Sequence, residues 1–338
     1  MVLYTREGWL DVGAIRSHVL PFTWIFGGRG IGKTYGWLKS LRYDDPEPFI
    51  LLRRSQAMID LMANEDFSPF RQLDIDQGRR TVCRKINKYI VGFYDESNEL
   101  EPVAYAMALS TIHNIRGFSA PVGWVIYDEF IPEAHERPIT QEWDAFLNAV
   151  ETIGRNRELQ GKEPLRVVGL SNANRIDNPY FAGMGLLGVV DRMARAGQEV
   201  YTDQQRGIML INIVHSPISE AKGQTSLYRL AEGSDFAGMS LGNEFVYESR
   251  APVRRIPLRE CTPIVTVGPV TVYRHKSQRL YYCTRPVYGQ PEAVYSSSRS
   301  DLIKFARRWW HLLDAYLDGY MVFSDYECEV IFRNSFQK

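Results

Sequence analysis

Short apolar runs that stop abruptly at small or polar residues mark the first half of the chain. They are FTWIFG (22–27), FILLRR (49–54), GWVIYDEFIPE (123–133) and LRVVGLSNANR (165–175). Such runs are typical of buried strands. Between the last two lies a helical pattern over 140–159, with apolar residues at three-to-four spacing: Trp143, Phe146, Leu147, Val150 and Ile153. Strands that alternate with helices predict βαβ units and a mostly parallel sheet.

Weaker patterns complete this region. Helices are predicted after the first two strands, over 33–43 and 55–73. Residues 79–95 alternate between apolar and polar side chains and predict a hairpin, and 102–110 predict a further strand.

The character of the chain changes after residue 219. Residues 219–245 are rich in glycine, serine and charge, which favours a linker or lid. Three short strands are then predicted over 262–285 and one helix over 299–320. We therefore predict an α/β domain over 1–219, a linker or lid over 220–250 and a smaller α+β domain over 251–338.

The charge balance limits how the chain could attract nucleic acid. It has 40 basic and 40 acidic side chains, so any DNA contact must come from local patches. Residues 251–338 are the basic part, with 13 basic and 8 acidic side chains.

The remaining composition argues against a zinc site and a membrane protein. The four cysteines lack zinc-ligand spacing, and the chain shows neither a signal-peptide apolar run at its start nor an apolar stretch of about 18 residues. We expect a soluble intracellular protein with no membrane partner.

The first apolar run leads into a loop suited to phosphates. The sequence GGRGIGKT fits G-x-x-x-x-G-K-[ST], and the candidate nucleotide-binding residues are Gly27, Gly28, Arg29, Gly30, Ile31, Gly32, Lys33 and Thr34. Glycines let backbone N–H groups curl around the β-phosphate, Lys33 reaches the β- and γ-phosphate oxygens, and the Thr34 hydroxyl ligates Mg²⁺. For Arg29 a phosphate contact, a signal between subunits and a turn cap all stay open.

Two adjacent acids follow the third apolar run. Asp128 ends the predicted strand, where a carboxylate beside a phosphate loop can hold Mg²⁺ through water. Glu129 can orient and polarise an attacking water. The pair favours ATP hydrolysis over nucleotide binding alone, although solvated acids at a strand end are common.

Other polar residues near these elements have two interpretations each. Arg155 and Arg157 end the helix over 140–159, where cations suit the helix dipole, and Arg155 could instead act on a neighbouring subunit's nucleotide. Ser171 and Asn172 close the fourth strand, where they could sense the γ-phosphate or couple hydrolysis to motion, or could form a plain turn.

Several arginines are candidates for DNA backbone contact. Arg53 and Arg54 end the second apolar run, and the predicted hairpin brings together Arg79, Arg80, Arg84 and Lys85. Arginine-rich hairpins are also often only solvated.

The motifs GGRGIGKTY, VIYDEFIPE, GRNRE, LSNANRIDNPYF and GMSLGNEF, in this order, resemble the DNA-encapsidation ATPases of small protein-primed tailed podophages, which are related to terminase large subunits. The resemblance covers about residues 20–250. It implies an additional-strand, catalytic-glutamate (ASCE) P-loop ATPase followed by a degenerate RNase H-like nuclease domain. It also implies a homo-oligomeric ring, expected to be a pentamer, that uses ATP and Mg²⁺ to push double-stranded DNA through the portal into a procapsid.

The resemblance also assigns roles to individual residues. It gives phosphate-loop roles to Lys33 and Thr34, magnesium to Asp128, catalysis to Glu129, and trans action to Arg155 and to Arg116, where relatives carry a lysine. The chain departs from the pattern at Ser55 and Gln56, where a DNA-gripping lysine is expected, and in an additional QGKEPL after GRNRE.

The resemblance further implies residence in the host cytoplasm and transiently on the procapsid portal vertex, outside the mature virion. Some members use a packaging RNA, and this sequence leaves that open.

The second domain shows no sequence pattern for two-metal nuclease chemistry. Its first predicted strands contain no acid, and its only clustered acids are Asp325, Glu327 and Glu329. We predict no nuclease activity. Two alternatives to the motor remain: a nucleotide-binding adaptor of the portal complex, and another nucleic-acid-translocating ring ATPase that resembles a helicase.

Overall fold

A computed structural model describes residues 1–115, 117–132, 136, 139–172, 175–214, 216–231, 233–234, 253–285 and 287–336. The chain forms two compact units, one of residues 1–183 and 192–246 and the other of residues 184–191 and 247–338. The domain limits proposed from the sequence stay a prediction.

Nine strands form the sheet of the first unit. They are β1 Phe22–Gly27, β2 Phe49–Arg53, β3 Thr81–Lys85, β4 Val91–Asp95, β5 Asn98–Ala108, β6 Trp124–Asp128, β7 Arg166–Ser171, β8 Val200–Asp203 and β9 Ile208–Ile213. The described helices up to residue 231 are α1 Val12–Arg16, α2 Lys33–Lys39, α3 Gln56–Met62, α4 Arg71–Gln77, α5 Glu142–Gly154, α6 Pro179–Gly183, α7 Leu187–Ala196, α8 Pro217–Gly223 and α9 Ser226–Leu230.

The sheet order is β3-β4-β5-β2-β6-β7-β1-β9-β8. The six central strands, from β5 to β9 in this order, pair in parallel, and β3, β4 and β8 add antiparallel edges. The mixed α/β fold with a mostly parallel sheet is thereby confirmed. Strand β7 lies between β1 and β6, so the phosphate loop and the acid pair end strands that are not neighbours.

Both faces of this sheet are buried, which explains the continuous apolar runs. On one face Trp24 of β1 and Tyr127 of β6 pack against Phe146 of α5, with ring centroids 5.4 and 5.8 Å apart respectively. Opposite, Ile25 and Trp37 are fully buried in a second apolar cluster. Carboxyl ends of parallel strands meet at one edge, and ligands bind there in this class of fold.

The strand predictions for β1, β2, β6 and β7 and the hairpin β3–β4 are confirmed. The single helix predicted over 55–73 is wrong: the chain forms α3, a 3-10 turn over Glu65–Phe67, and α4. Asn64 caps that turn by accepting a hydrogen bond from the Asp66 N–H, which gives the backbone a local alternative to helix.

The second unit contains a five-stranded mixed sheet of order β13-β10-β11-β12-β14. Its strands are β10 Cys261–Val267, β11 Val270–His275, β12 Tyr281–Thr284, β13 Ala293–Tyr295 and β14 Met321–Phe323, and its helices after residue 253 are α10 Arg299–Arg308, α11 Trp310–Leu317 and α12 Tyr326–Asn334. The three strands predicted over 262–285 are confirmed.

The single helix predicted over 299–320 is wrong. It breaks at Trp309, whose φ of −113° and ψ of 23° separate α10 from α11. The indole of Trp309 is buried in the core of this unit and donates to the Tyr295 hydroxyl at 3.3 Å, so packing overrides the helical pattern.

The segment predicted as a linker or lid is described only in part. Helices α8 and α9 lie within residues 217–230, whereas residues 235–252, including the GMSLGNEF motif, lie outside the described residues. None of the helices in the described ranges has both the length and the hydropathy needed to cross a bilayer.

Candidate nucleotide site

The phosphate loop links β1 to α2, and its glycines are required by geometry. Gly27 has a φ of 144°, and a Cβ there would lie 2.5 Å from the Cβ of Ile213 on β9. Gly32 has a φ of 85° at the position before α2. Only glycine adopts such angles without strain, so the sequence dictates a loop whose amides turn toward the start of a helix.

Lys33 is buried beneath this loop. Its ammonium donates to the carbonyls of Gly27 at 3.1 Å and Gly28 at 2.6 Å and to the Asn172 Oδ1 at 3.4 Å. Burial lowers the pKa of Lys33 from 10.5 to about 7, although the charge of Asp128 opposes the shift. These hydrogen bonds hold the lysine in place, whereas burial destabilises its charged form, which a bound anion would stabilise.

Thr34 and Asp128 meet although they are 94 residues apart. The Thr34 hydroxyl donates to the Asp128 Oδ1 at 2.9 Å, and the Asp128 side chain is 6% exposed at the end of β6. A hydroxyl and a carboxylate in contact are a hard-oxygen donor set, so these residues fit the Mg²⁺ role predicted for them.

Glu129 leaves the strand in an uncommon conformation. Its φ is 59°, and its N–H donates to the Leu170 carbonyl of β7 at 2.7 Å. The side chain is 52% exposed, so its carboxylate is open to water. Glu129, Gln141 and Arg155 are the non-glycine residues with positive φ in the described ranges, and backbone strain of this kind concentrates at functional sites.

Arg53 connects the two acids, a role that the sequence did not reveal. Its guanidinium lies 2.7 Å from the Asp128 Oδ2 and 2.5 Å from the Glu129 Oε2. Because β2 and β6 are neighbouring parallel strands, their carboxyl ends bring the arginine to the acids. The side chain of Arg53 is 14% exposed and directed inward, which argues against the DNA contact considered for it.

Ser171 and Asn172 close the site at the end of β7. The buried Ser171 hydroxyl accepts a hydrogen bond from the Ile131 N–H at 3.3 Å, which makes it a structural contact. Asn172 directs its Oδ1 to Lys33 instead. The site contains a cavity of about 230 Å³, lined by Gly30, Gly32, Lys33, Thr34, Tyr35, Asp128, Glu129, Ser171 and Asn172.

A larger cavity of about 830 Å³ adjoins the other side of the loop. Trp9, Leu10 and Val12 line one part of it, and Tyr35 and Gly36 of α2 line another. The N-terminal segment is held there because the Leu10 N–H donates to the Ile31 carbonyl at 3.0 Å. An apolar, aromatic wall next to a phosphate loop suits the base of a nucleotide.

The remaining predicted loop residues have backbone roles. Ile31 is fully buried, and the carbonyl of Arg29 accepts a hydrogen bond from Lys222 of α8 at 2.8 Å. Lys222 is a further cation at the loop that the sequence motifs did not indicate, because it lies 193 residues from Arg29 in a segment without a recognisable pattern.

Arg155 lies far from the other predicted catalytic residues. Helix α5 begins near the carboxyl edge of the sheet and returns toward the start of β7, and its 13 residues span about 20 Å. Arg155 follows its last turn, is exposed, and donates from Nη2 to the Phe118 carbonyl at 2.5 Å. It therefore cannot reach the phosphate loop of its own subunit. Arg116 lies outside the described residues.

Arg54 directly follows β2, next to Arg53, but faces the interior. Its guanidinium binds both oxygens of Glu142 at 2.8 Å and Glu136 at 2.7 Å, and the Glu142 Oε1 also accepts from the Tyr180 hydroxyl at 3.0 Å. The side chains of Arg54 and Glu142 are only 3% and 2% exposed. DNA contact by Arg54 is therefore ruled out by burial, and the pair joins the end of β2 to the start of α5.

The chain matches a known protein family over nearly its whole length. The family model described as the Podovirus DNA encapsidation protein (Gp16) matches residues 14–338. The chain belongs to this family. The resemblance inferred from the motifs is thereby confirmed, and it extends beyond residue 250 into the second unit.

Individual relatives of this encapsidation protein show the same extent of likeness. The DNA packaging protein of Bacillus phage phi29 is 28% identical over 334 residues, covering 93% of this chain and 92% of that protein. The solved Phi-28 gp11 DNA packaging motor covers 99% of both chains with a TM-score of 0.67 and 18% identity. The bacteriophage Phi-29 viral genome packaging motor assembly covers 97% of both with a TM-score of 0.66 and 22% identity.

Proposed function

We propose that this encapsidation protein is the ATP-hydrolysing subunit of a ring motor that translocates double-stranded viral DNA through a portal into a procapsid. The observation that carries the proposal is the contact of the phosphate-loop Thr34 with Asp128, beside Glu129 and the buried Lys33, in a chain of the DNA encapsidation family.

The charges around the loop suit a polyphosphate. The two acids of the site, Asp128 and Glu129, are both paired with Arg53. Lys33 and Lys222 instead donate to neutral backbone carbonyls of the loop, and both side chains can donate to an anion bound there. Together with the cavity next to Trp9, this arrangement supports binding of a nucleoside triphosphate such as ATP.

The same residues supply the parts of a hydrolytic site. The Thr34 hydroxyl would hold Mg²⁺ directly and Asp128 would hold it through water. When bound, Mg²⁺ would supply positive charge that neutralises the phosphates. Glu129 would orient the attacking water and take up its proton at the carboxylate, for which Oε2 must leave the guanidinium of Arg53.

Arg155 supports a ring in which each site spans two subunits. It is exposed and about 20 Å along α5 from the edge that carries its own phosphate loop. We therefore propose that it stabilises charge on the γ-phosphate bound by a neighbouring subunit. The proposal has further parts. The ring is a pentamer, Arg116 also acts in trans, and the protein contacts portal and DNA. The use of packaging RNA and residence in the host cytoplasm rather than in the virion belong to the proposal as well.

For the second unit we propose a nuclease-like fold without nuclease activity. Its clustered acids have structural roles: Asp325 caps α12 by accepting from the Cys328 N–H at 2.9 Å, Glu327 pairs with Arg285, and the buried Glu329 accepts from a tyrosine hydroxyl. Acids engaged in this way are poorly placed to converge on two metal ions.

The test compares ATPase rates of the wild type and Lys33→Ala, with and without double-stranded DNA and procapsids. We expect the wild-type rate to rise with both additions and the variant to be inactive. A wild-type rate that responds to neither would refute the motor and favour the nucleotide-binding adaptor, whereas ATP-dependent strand separation would favour a helicase.

A further inference from the structure

Lys222 is a cation that the phosphate-loop motif does not include. It lies in the last turn of α8, and its Nζ donates to the Arg29 carbonyl at 2.8 Å. A Cβ placed on Gly30 would overlap this Nζ, so the ammonium lies directly over the tip of the loop. Position 30 is not fixed by the motif; its φ of 63° favours glycine, and the missing side chain also leaves room for the lysine.

Helix α8 is held firmly enough to position that ammonium. The hydroxyl of Ser216, just before the helix, donates to the Gly8 carbonyl at 3.0 Å. Ile218 packs against the core of the first unit, and Pro217 lies against Gly8. Lys222 therefore projects from an anchored helix, and its ammonium is held at the loop by the Arg29 carbonyl.

Lys222 and Lys33 bind neighbouring parts of the same loop. The ammonium of Lys33 donates to the Gly28 carbonyl at 2.6 Å, and that of Lys222 donates to the carbonyl of the next residue, Arg29, at 2.8 Å. Two ammonium groups crowded in this way repel each other, and a polyanion between them would relieve that repulsion. Lys33 of this motif reaches the β- and γ-phosphates, so its neighbour faces the same end of the nucleotide.

We propose that Lys222 is a second phosphate-binding lysine, which contacts the γ-phosphate of the nucleotide from α8. Through this contact a bound γ-phosphate would act on α8, which follows the last strand of the ATPase sheet and precedes residues 231–252. This assignment rests on the proposed function, since it requires that the loop binds a nucleoside triphosphate.

Affinities for a non-hydrolysable ATP analogue and for ADP, measured by isothermal titration on the full chain, test the assignment. In Lys222→Met we expect the Kd of the analogue to rise about tenfold, the loss typical of one charge-assisted hydrogen bond, and the Kd of ADP to change less than about twofold. Lys222→Arg should retain affinity for both, because it keeps the charge.

Two controls separate this contact from general damage. Arg229→Ala removes a positive charge from the exposed surface of α9 and should bind both nucleotides like the wild type. Lys222→Gln keeps a donor for the Arg29 carbonyl but loses the charge, so it should behave like Lys222→Met. Melting temperatures of the variants verify that each is folded.

Three results would decide against the idea. Unchanged affinity of Lys222→Met for the analogue would overturn it, and so would an equal loss for the analogue and ADP, which would indicate a distorted loop. If the wild type binds neither nucleotide, the proposed function itself fails.

Discussion

The buried pair of Arg54 and Glu142 makes the sharpest prediction about stability. Burial alone lowers the pKa of Arg54, but the hydrogen bonds and charge of Glu142 raise it above its ordinary value, so the guanidinium stays ionised. Replacement of Arg54 by methionine would leave the Glu142 carboxylate buried with only the Tyr180 hydroxyl as a described donor.

The structure permits an estimate of the cost. Removal of one partner of a buried ion pair typically destabilises a protein by about 3–5 kcal/mol, because the other charge is left without compensation. Both side chains are at most 3% exposed and share two hydrogen bonds of 2.8 Å, so we expect Arg54→Met to fall in that range. The unit that carries the site would lose a large share of a typical stability of about 5–15 kcal/mol.

The assay is urea unfolding of Arg54→Met, Glu142→Gln and the double variant. The double variant leaves neither a buried guanidinium nor a buried carboxylate at this pair, so it should lose clearly less stability than the two single losses added together. As a control, Arg71→Met breaks an exposed pair with Asp66 at 2.8 Å and should cost less than about 1 kcal/mol. A loss below about 1 kcal/mol for Arg54→Met, or strict additivity of the two single variants, would refute the reasoning.

Three further predictions concern the nucleotide site. Mixed rings of Glu129→Ala and Arg155→Ala subunits should regain ATPase activity that neither variant has alone, because each defect lies on a different side of an interface; no rescue at any ratio would exclude trans action. In the folded protein the pKa of Lys33 is lowered to about 7 from 10.5. Between pH 7 and pH 10.5 unfolding therefore takes up a proton, and the free energy of unfolding should rise with pH across that window. At pH 8 bound phosphates should restore the ammonium, and titrations in buffers of different ionisation enthalpy should detect net proton uptake; a heat independent of the buffer would contradict this. Trp9→Ala should weaken ATP binding about tenfold if the indole stacks on the base, whereas Trp310→Ala in the second unit should not change it.

The sequence by itself determined the central strands and the chemistry at their ends. Parallel strands covered on both faces read as unbroken apolar runs, so the limits of β1 and β7 and the position of the acid after β6 follow from local composition. The roles proposed for Lys33 and Thr34 come from motif spacing, because the loop is formed by consecutive residues. Family membership followed from several such motifs taken in order.

Only the tertiary structure decided how distant residues combine. The order of strands sets Arg53 against both acids, and directs the adjacent Arg54 inward to Glu142; no local pattern distinguishes these two arginines. Lys222 reaches the loop from 193 residues away. The helix break at Trp309 likewise came from packing of its indole, which outweighed a continuous helical pattern. Long-range contacts depend on which elements become neighbours, and that information is spread over the whole chain.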